Sequence, residues 1–281
     1  MKKKRLSLIL VMLFVLAGLS LLLYPTISNL MKTIAFNQAI SNYQTSVEQI
    51  EPENYDDILA EAEAFNQKML ERVYILQPFT DAEQESYDRQ LVVPGTDVMG
   101  YVSISKINIS LPIYHGTSDA VLQSGAGHLE GSSLPIGGEG THCVISAHRG
   151  LPSAKLFTDL DQMVIGDTFA LRVLNEILTY EIDEIQEVAP DDSAILQVEP
   201  GQDLCTLLTC TPYGVNTERL LLRGHRIPTP ENEPLIEKTN TGPDIMLLVF
   251  VIAGALLAGL AVVLILRRRK KRTYGGRHMR S

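Results

Sequence analysis

Tryptophan is absent from the chain, and cysteine is scarce: three among 281 residues. An odd three does not build a disulfide-stapled scaffold. No two of them form a C-x-x-C pair, which excludes a cysteine-rich zinc or iron–sulfur module. Without Trp, an aromatic cage for a quaternary ammonium ligand loses its best wall. There is no internal repeat, so solenoids and propellers are set aside. Acidic residues are missing only from the ends: none of the 33 falls in residues 1–24 or 245–281.

Apolar residues make up 45% of the chain and charged residues 20%, which rules out wholesale disorder. The length fits one large domain, or one domain with appendages. Net charge is −9, but the distribution is uneven. Residues 25–244 hold all 33 acidic groups and 12 of the 24 basic ones, a balance of −21. Such a middle repels a phosphate backbone, so nucleic acid is not the expected partner.

Two long runs carry no charge. Leu6 to Leu23 spans 18 residues and Ile245 to Leu266 spans 22. At 1.5 Å per residue, each can cross a hydrocarbon core of about 30 Å. Lys2, Lys3, Lys4 and Arg5 precede the first run. Arg267, Arg268, Arg269, Lys270, Lys271, Arg272, Arg277 and Arg280 follow the second. The positive-inside tendency puts both termini in the cytoplasm and the acidic middle outside the cell. A cleaved signal peptide has the same basic and apolar regions as the first run. No small-x-small site follows it, however, since Leu21-Leu22-Leu23-Tyr24-Pro25 is bulky, and an uncleaved anchor is the expectation. In the second run Gly254, Ala255, Ala258 and Gly259 either pack against another helix or are plain composition.

In the middle, residues 26–50 read as a helix leaving the membrane. A second helix is expected over Asn54–Tyr74, where Ile58, Ala62, Phe65 and Met69 make one apolar stripe. Pro78 breaks it, and residues 77–97 read as an ordered loop. From Met99 to Arg226 the texture becomes short β-type runs: 102–104, 107–109, 111–113, 143–146, 168–171, 178–182, 204–209 and 219–223. About eight short strands predict a mostly β fold, a closed or nearly closed barrel. Helical insertions are expected near Ala120–Ser124 and Ala154–Leu160. Residues 228–243 hold four Pro and read as a tether.

Three residue types stand out together. Cys210 ends a β run and enters the turn Thr211-Pro212-Tyr213-Gly214, His148 ends another and enters Arg149-Gly150-Leu151-Pro152, and Arg219 begins the strand after the Cys turn. A Cys nucleophile needs its thiolate or a base to make it, and an imidazole supplies either. An arginine offers fixed donors for an oxyanion. By type alone, a Cys in an apolar strand is more often an inert small hydrophobe and a lone His more often a hydrogen-bonded structural residue.

The surrounding sequence adds to this. TLLTC at 206–210, followed by TPYGVNTERLLLRGHR at 211–226, closely resembles the catalytic strand and turn of sortases, and most nearly the pilin-polymerising class C. HCVISAHRGLPSAKLFTDLDQMVIGD at 142–167 resembles the same family's histidine segment, and 111–148 also reads as class C. The Cys–His and Cys–Arg separations, 62 (210 − 148) and 9 (219 − 210), suit that class. The resemblance covers roughly 77–227 and the two-span layout.

It implies a sortase-type closed eight-stranded β-barrel with short helices, an N-terminal helical and lid extension and two transmembrane helices. The implied layout is 1–24 basic tip and anchor, 25–97 extension and lid, 98–227 catalytic barrel, 228–244 linker, 245–266 second span and 267–281 basic tail. It implies a cysteine transpeptidase in which Cys210 attacks the Thr–Gly carbonyl of an LPxTG-like signal. His148 protonates the departing amine, and Arg219 holds substrate or oxyanion. The acceptor in class C is a pilin Lys. Thr209 is expected to contribute to the substrate groove. Class C members usually carry an Asp-Pro-aromatic lid. Here the match is Gln77-Pro78-Phe79, so the charged lid pair with Arg219 is reduced to a neutral hydrogen bond, roughly half as strong, unless Asp81 substitutes.

Anchoring to a peptidoglycan amine, or a silent barrel that only presents surface proteins, are the alternatives. A papain-like hydrolase is set aside, because the Cys comes late and off any helix N-terminus. Cys205 and Cys143, each five residues before Cys210 and His148, read as core by strand alternation. His115, His128 and His142 lack metal-ligand spacing, and His225 reads as structural. Asp191, Asp192 and Glu199 read as a solvated loop, although some sortases bind calcium there. No cofactor or metal is expected. The partners are the membrane and LPxTG-bearing pilins or surface proteins, and the chain is expected to be a monomer.

Overall fold

The computed structural model describes residues 2–70, 77–230 and Gly259. The second uncharged run apart from Gly259, the basic tail and nearly all of the Pro-rich tether lie outside the described residues. The described residues divide into two compact units, one holding residues 2–30 and the other beginning at Met31. Helix α1 runs Lys2–Glu48. Among the described residues one helical segment, Leu13–Glu48, is long and apolar enough to cross a membrane, and its Phe14, Leu21 and Leu22 are exposed. This agrees with the anchor expected of the first run.

Within the second unit, α1 buries Phe36, Ile40, Tyr43 and Val47. Their spacing of i, i+4, i+7, i+11 is one helical stripe. The Tyr43 hydroxyl donates to the Met99 carbonyl at 3.1 Å and accepts the Leu174 N–H at 2.7 Å. Helix α2, Pro52–Met69, starts with Pro in the first turn, where its missing N–H is harmless. It buries Ala62, Phe65 and Met69, with Ile58 packed alongside, which is the stripe read from sequence. The stretch 71–76 of that expected helix lies outside the described residues.

Residues 77–97 are not the uninterrupted loop expected. They contain helix α3, Asp81–Asp88, opened by a capping box: Glu83 N–H donates to Thr80 Oγ1 while Glu83 accepts from the Thr80 N–H at 2.7 Å. The pattern T-x-x-E was legible at 80–83. The eight-residue helix presents one buried residue, Tyr87, too little for a period to show.

Strands β1 (Gly100–Ile104), β2 (Ile109–His115), β3 (Ala126–His128), β4 (Thr141–Ser146), β5 (Thr168–Val173), β6 (Glu176–Val188), β7 (Asp203–Thr211) and β8 (Glu218–Ile227) close into a barrel. Around it the order is β1-β2-β3-β4-β7-β8-β6-β5. Two pairings are parallel, β2 with β3 and β4 with β7. Every residue of β4 is buried, as a strand in the parallel part of a sheet requires. In 13-residue β6 the register shifts between Ile182 and Glu184, a bulge that lets a long strand bend.

The strand count agrees with expectation, but two strands were misread. Residues 107–109 are not a strand of their own. Ser105–Ile107 is a 3-10 turn, ended by Asn108 at φ 52°, a conformation Asn tolerates. The eighth strand is β3, whose Ala-Gly-His has no β propensity. The expected helix over Ala154–Leu160 is a set of turns leading into the 3-10 turn Leu160–Gln162. Helix α4, Asp119–Ser124, is where it was expected, capped by Ser118.

His142 illustrates the cost of polar groups in this core. Its Nδ1 lies 2.9 Å from the Gln197 carbonyl, which can only accept, so Nδ1 carries the proton. Nε2, 2.8 Å from Thr206 Oγ1, accepts from that hydroxyl. Burial lowers the imidazole below its ordinary 6.5, against the pull of the Gln197 bond. The unfolded chain therefore takes up the proton first as pH falls. The stability due to neutral His142 is intact above its unfolded value and declines below about 6.5, by at most about 1.4 kcal/mol per pH unit. Urea midpoints measured from pH 8 to 5 should fall in the wild type and flatten in His142→Gln.

Candidate active site

The three residues singled out in the sequence come from three neighbouring strands, β4, β7 and β8. Cys210 and Arg219 are direct partners in the antiparallel β7–β8 ladder, so their side chains share a face. The β4–β7 ladder pairs Ser146 with Leu208, and each pair in it has the same offset, 62 (208 − 146). His148, two residues past the end of β4, keeps that offset to Cys210 (210 − 148). The separation read in the sequence is thus a strand register. Cys210, His148 and Arg219 are all half-buried, as groups that must meet a substrate from a rigid base should be.

The segment holding His148 is fastened on both sides. Thr209 donates its hydroxyl to the Ala147 carbonyl at 2.7 Å, and is itself only 1% exposed. This places Thr209 inside, on the face opposite Cys210. The His148 carbonyl accepts the Phe157 N–H at 3.1 Å. Arg149 is buried. Its Nη1 donates to Thr211 Oγ1 at 3.3 Å, its Nε to the Thr158 carbonyl at 3.3 Å, and its Nη2 pairs with Asp161. Thr211 in turn donates to Glu187 Oε1 at 3.4 Å. Sequence reading passed over Arg149 as part of a turn. A buried guanidinium one residue from an imidazole carries no composition signal.

Arg219 Nη1 donates to the carbonyls of Asn216 and Glu218, at 3.4 and 3.1 Å, which fixes the guanidinium at the start of β8. The turn between Cys210 and Arg219 exposes Tyr213 and Val215 at 60% and 65%. Gly150, at φ +76°, lies beneath the Tyr213 ring, where a Cβ would come within 3.1 Å of Cε2. The turn after His148 and the turn after Cys210 are therefore in contact.

Cys143 and Cys205 are buried register partners on β4 and β7, the core positions expected. Burial holds the Cys205 thiol well above its ordinary value. Iodoacetamide should add one carboxamidomethyl group to the folded protein, at Cys210, and three in denaturant, counted by intact mass. His225 Nδ1 stands 3.5 Å from Asp183. Glu199, in the acidic loop before β7, is engaged by Arg223 at 2.9 Å, and Asp192 caps the Ala194 N–H.

In the segment expected to act as a lid, Gln77 and Pro78 are exposed and Phe79 is half-buried. The Phe79 ring packs 6.4 Å from Phe65 and 5.5 Å from Tyr87. Tyr87 is fully buried, its hydroxyl 2.8 Å from His128 Nδ1 and accepting the Gly116 N–H at 3.0 Å. The aromatic cluster thus couples residues 77–79 to α2 and, through α3, to β3.

Residues 102–227 match the family model of the sortase domain. Sortase C1 from Streptococcus agalactiae is 50% identical in sequence, aligned over 69% of this chain and all of that one, with a TM-score of 0.66. Sortase C from Streptococcus pneumoniae is 45% identical over 68% of this chain and 97% of that one, with a TM-score of 0.62. The curated sortase A of Streptococcus agalactiae serotype III (strain NEM316) is 31% identical over 137 residues, and the matched stretch spans 55% of that relative's length. The closed eight-stranded barrel, these shared sequences and the solved relatives agree, and the chain belongs to the sortase family, with the class C sortases as its structural kin.

Proposed function

We propose that this chain is a membrane-anchored class C sortase that joins pilin subunits at a cell surface. The observation that carries the reading is the shared register of His148, Cys210 and Arg219 at one end of three adjacent strands. In this reading, Cys210 Sγ attacks the Thr carbonyl of an LPxTG-like signal. The Thr–Gly bond breaks, the departing Gly amine takes a proton from the His148 imidazolium, and a thioester remains. A pilin Lys amine then gives its proton to His148, attacks the thioester and expels the thiolate, leaving an isopeptide bond. Arg219 holds the carbonyl oxygen as charge develops on it. The structure of the Streptococcus pneumoniae relative bears on pilin substrate specificity, which supports pilins as the substrates here. The layout that goes with it has residues 1–24 and 245–266 as anchors, 25–97 as extension and lid, 98–227 as the catalytic barrel outside the cell, 228–244 as tether, and both termini in the cytoplasm.

The test is to incubate the full chain, in detergent, with an LPxTG peptide and to measure intact mass. An acyl adduct on Cys210, labile to hydroxylamine, is expected. Its absence would remove the covalent mechanism. Supplying a Lys-bearing pilin peptide against oligoglycine decides the acceptor.

In the same reading, 77–79 is a lid held down by Phe79. Each aromatic contact contributes about 0.5–1.5 kcal/mol, so Phe79→Ala should raise peptide hydrolysis by roughly five-fold or more. An unchanged rate would end the lid role.

A further inference from the structure

The backbone ladder between β4 and β7 stops before the site is reached. The last register pair is Ser146 with Leu208, followed by one loop bond from the Ala147 N–H to the Leu208 carbonyl at 3.1 Å. His148 and Cys210 lie beyond it. From there, side chains carry the pairing. On the near side, the residue before Cys210 bonds to the residue before His148, Thr209 Oγ1 to the Ala147 carbonyl at 2.7 Å. On the far side, the residue after His148 bonds to the residue after Cys210, Arg149 Nη1 to Thr211 Oγ1 at 3.3 Å.

We propose that Thr209 and Arg149 are positioning residues, a two-sided clamp that holds the His148 imidazole in register with Cys210 where the strand ladder has ended. The proposal rests on the reading of Cys210 and His148 given above.

Arg149 suits this task by its shape. A guanidinium presents donors in a fixed planar fork, and here three separate groups use it. Nη1 reaches the Cys strand at Thr211, Nε reaches the Thr158 carbonyl across the histidine loop, and Nη2 pairs with Asp161 at the loop's far end. The Gly150 N–H adds a bond to Thr158 Oγ1 at 3.2 Å. The loop 148–161 is thereby closed on itself and fastened to β7 by one side chain. Thr211 hands the chain on to Glu187 of β6, next to Val188, the register partner of Arg219. The clamp therefore joins the segments that carry His148 and Cys210 and reaches β6, the strand that pairs with the Arg219 strand. A lysine in place of Arg149 satisfies one or two of the three acceptors, not all in one geometry.

The test measures kcat and KM for LPxTG-peptide cleavage by the full chain and its variants, with amide hydrogen exchange of residues 147–158 and the acyl adduct on Cys210 read in parallel. Arg149→Met should lower kcat by about 10²-fold, the scale on which ångström misplacement acts, while KM stays within about two-fold, since Arg149 is buried and its donors are taken up by the protein. Arg149→Lys should recover part of the rate. Exchange should quicken in 147–158 and not in β5 or β6. Thr209→Val, close to isosteric, guards against misfolding of the Arg variants and should lower kcat by about ten-fold. Asp161→Asn, altered at a half-exposed site, should have the smallest effect.

If the wild type forms the Cys210 adduct and both Arg149→Met and Thr209→Val keep wild-type kcat, the clamp is overturned and the site reading stands. The clamp is also overturned if KM rises while kcat holds, because that pattern belongs to substrate binding. If the wild type forms no adduct, the reading falls and takes the clamp with it.

Discussion

Replacing Cys210 by Ala should lower kcat for an LPxTG peptide by at least about 10³-fold and leave the unfolding midpoint where it is. The two expectations come from one placement. Cys210 is half-buried at the end of β7, while the buried Cys205 of the same strand faces the core, so the thiol can be lost without opening a cavity. His148→Ala should cost a similar factor. The double variant should be no worse than either alone, because thiol and imidazole work as one unit in the proposed mechanism. Arg219→Lys should cost less, roughly 10² in kcat. It keeps the charge but loses the fork that Asn216 and Glu218 hold in place. Wild-type turnover by Cys210→Ala would mean that Cys210 is not the nucleophile, and no turnover by either protein would favour a barrel that binds surface proteins without reacting with them.

The largest effect on folding is expected at Gly127, where Ala should cost roughly 3 kcal/mol or more. Its backbone is ordinary and the cost is steric. A Cβ would sit 2.2 Å from the Gly116 carbonyl oxygen and 3.1 Å from Val121 Cγ1. The first is backbone, and Gly116 is held in place by its N–H bond to the buried Tyr87, so no rotamer change relieves the clash. β3 has three register pairs with β2 and two with β4, so a displaced β3 has little else to hold it. The urea midpoint should fall by about 1–3 M. Activity should fall with it, since Gly127 pairs with Ser146, two residues before His148. A midpoint equal to that of the wild type would show that β2 and β3 have room to separate.

The features legible in the sequence are those that repeat or that chemistry makes rare. The α2 stripe showed as a period, the strands β4 and β7 as apolar runs, and TLLTC as a rare string. β3 was not legible, because its Gly answers to a neighbouring backbone rather than to strand propensity. α3 was passed over because eight residues with one buried side chain carry no period, although its capping box was there to be read. Arg149 was passed over for a different reason. Its partners Thr158, Asp161 and Thr211 are brought together by the loop and by the 62-residue return of β7. No local pattern encodes a meeting of that kind. The separation of Cys and His suited the family, but its physical cause emerged only once β4 and β7 proved to be parallel neighbours.

That parallel pairing also fixes when the site comes into being. Parallel neighbours cannot be joined by a tight hairpin, and contacts so distant along the chain form late. Synthesis runs from the N-terminus, so His148 exists long before its partner strand. Arg219, on β8, is made last of the three, and β8 is also the strand that joins β7 to β6. A nascent or half-closed barrel thus holds an imidazole and, for a while, a thiol, but no machinery. In the proposed mechanism the three site residues are complete only once β8, the last strand made and the bearer of Arg219, has paired with β7, so a chain cut short before β8 lacks the proposed oxyanion partner.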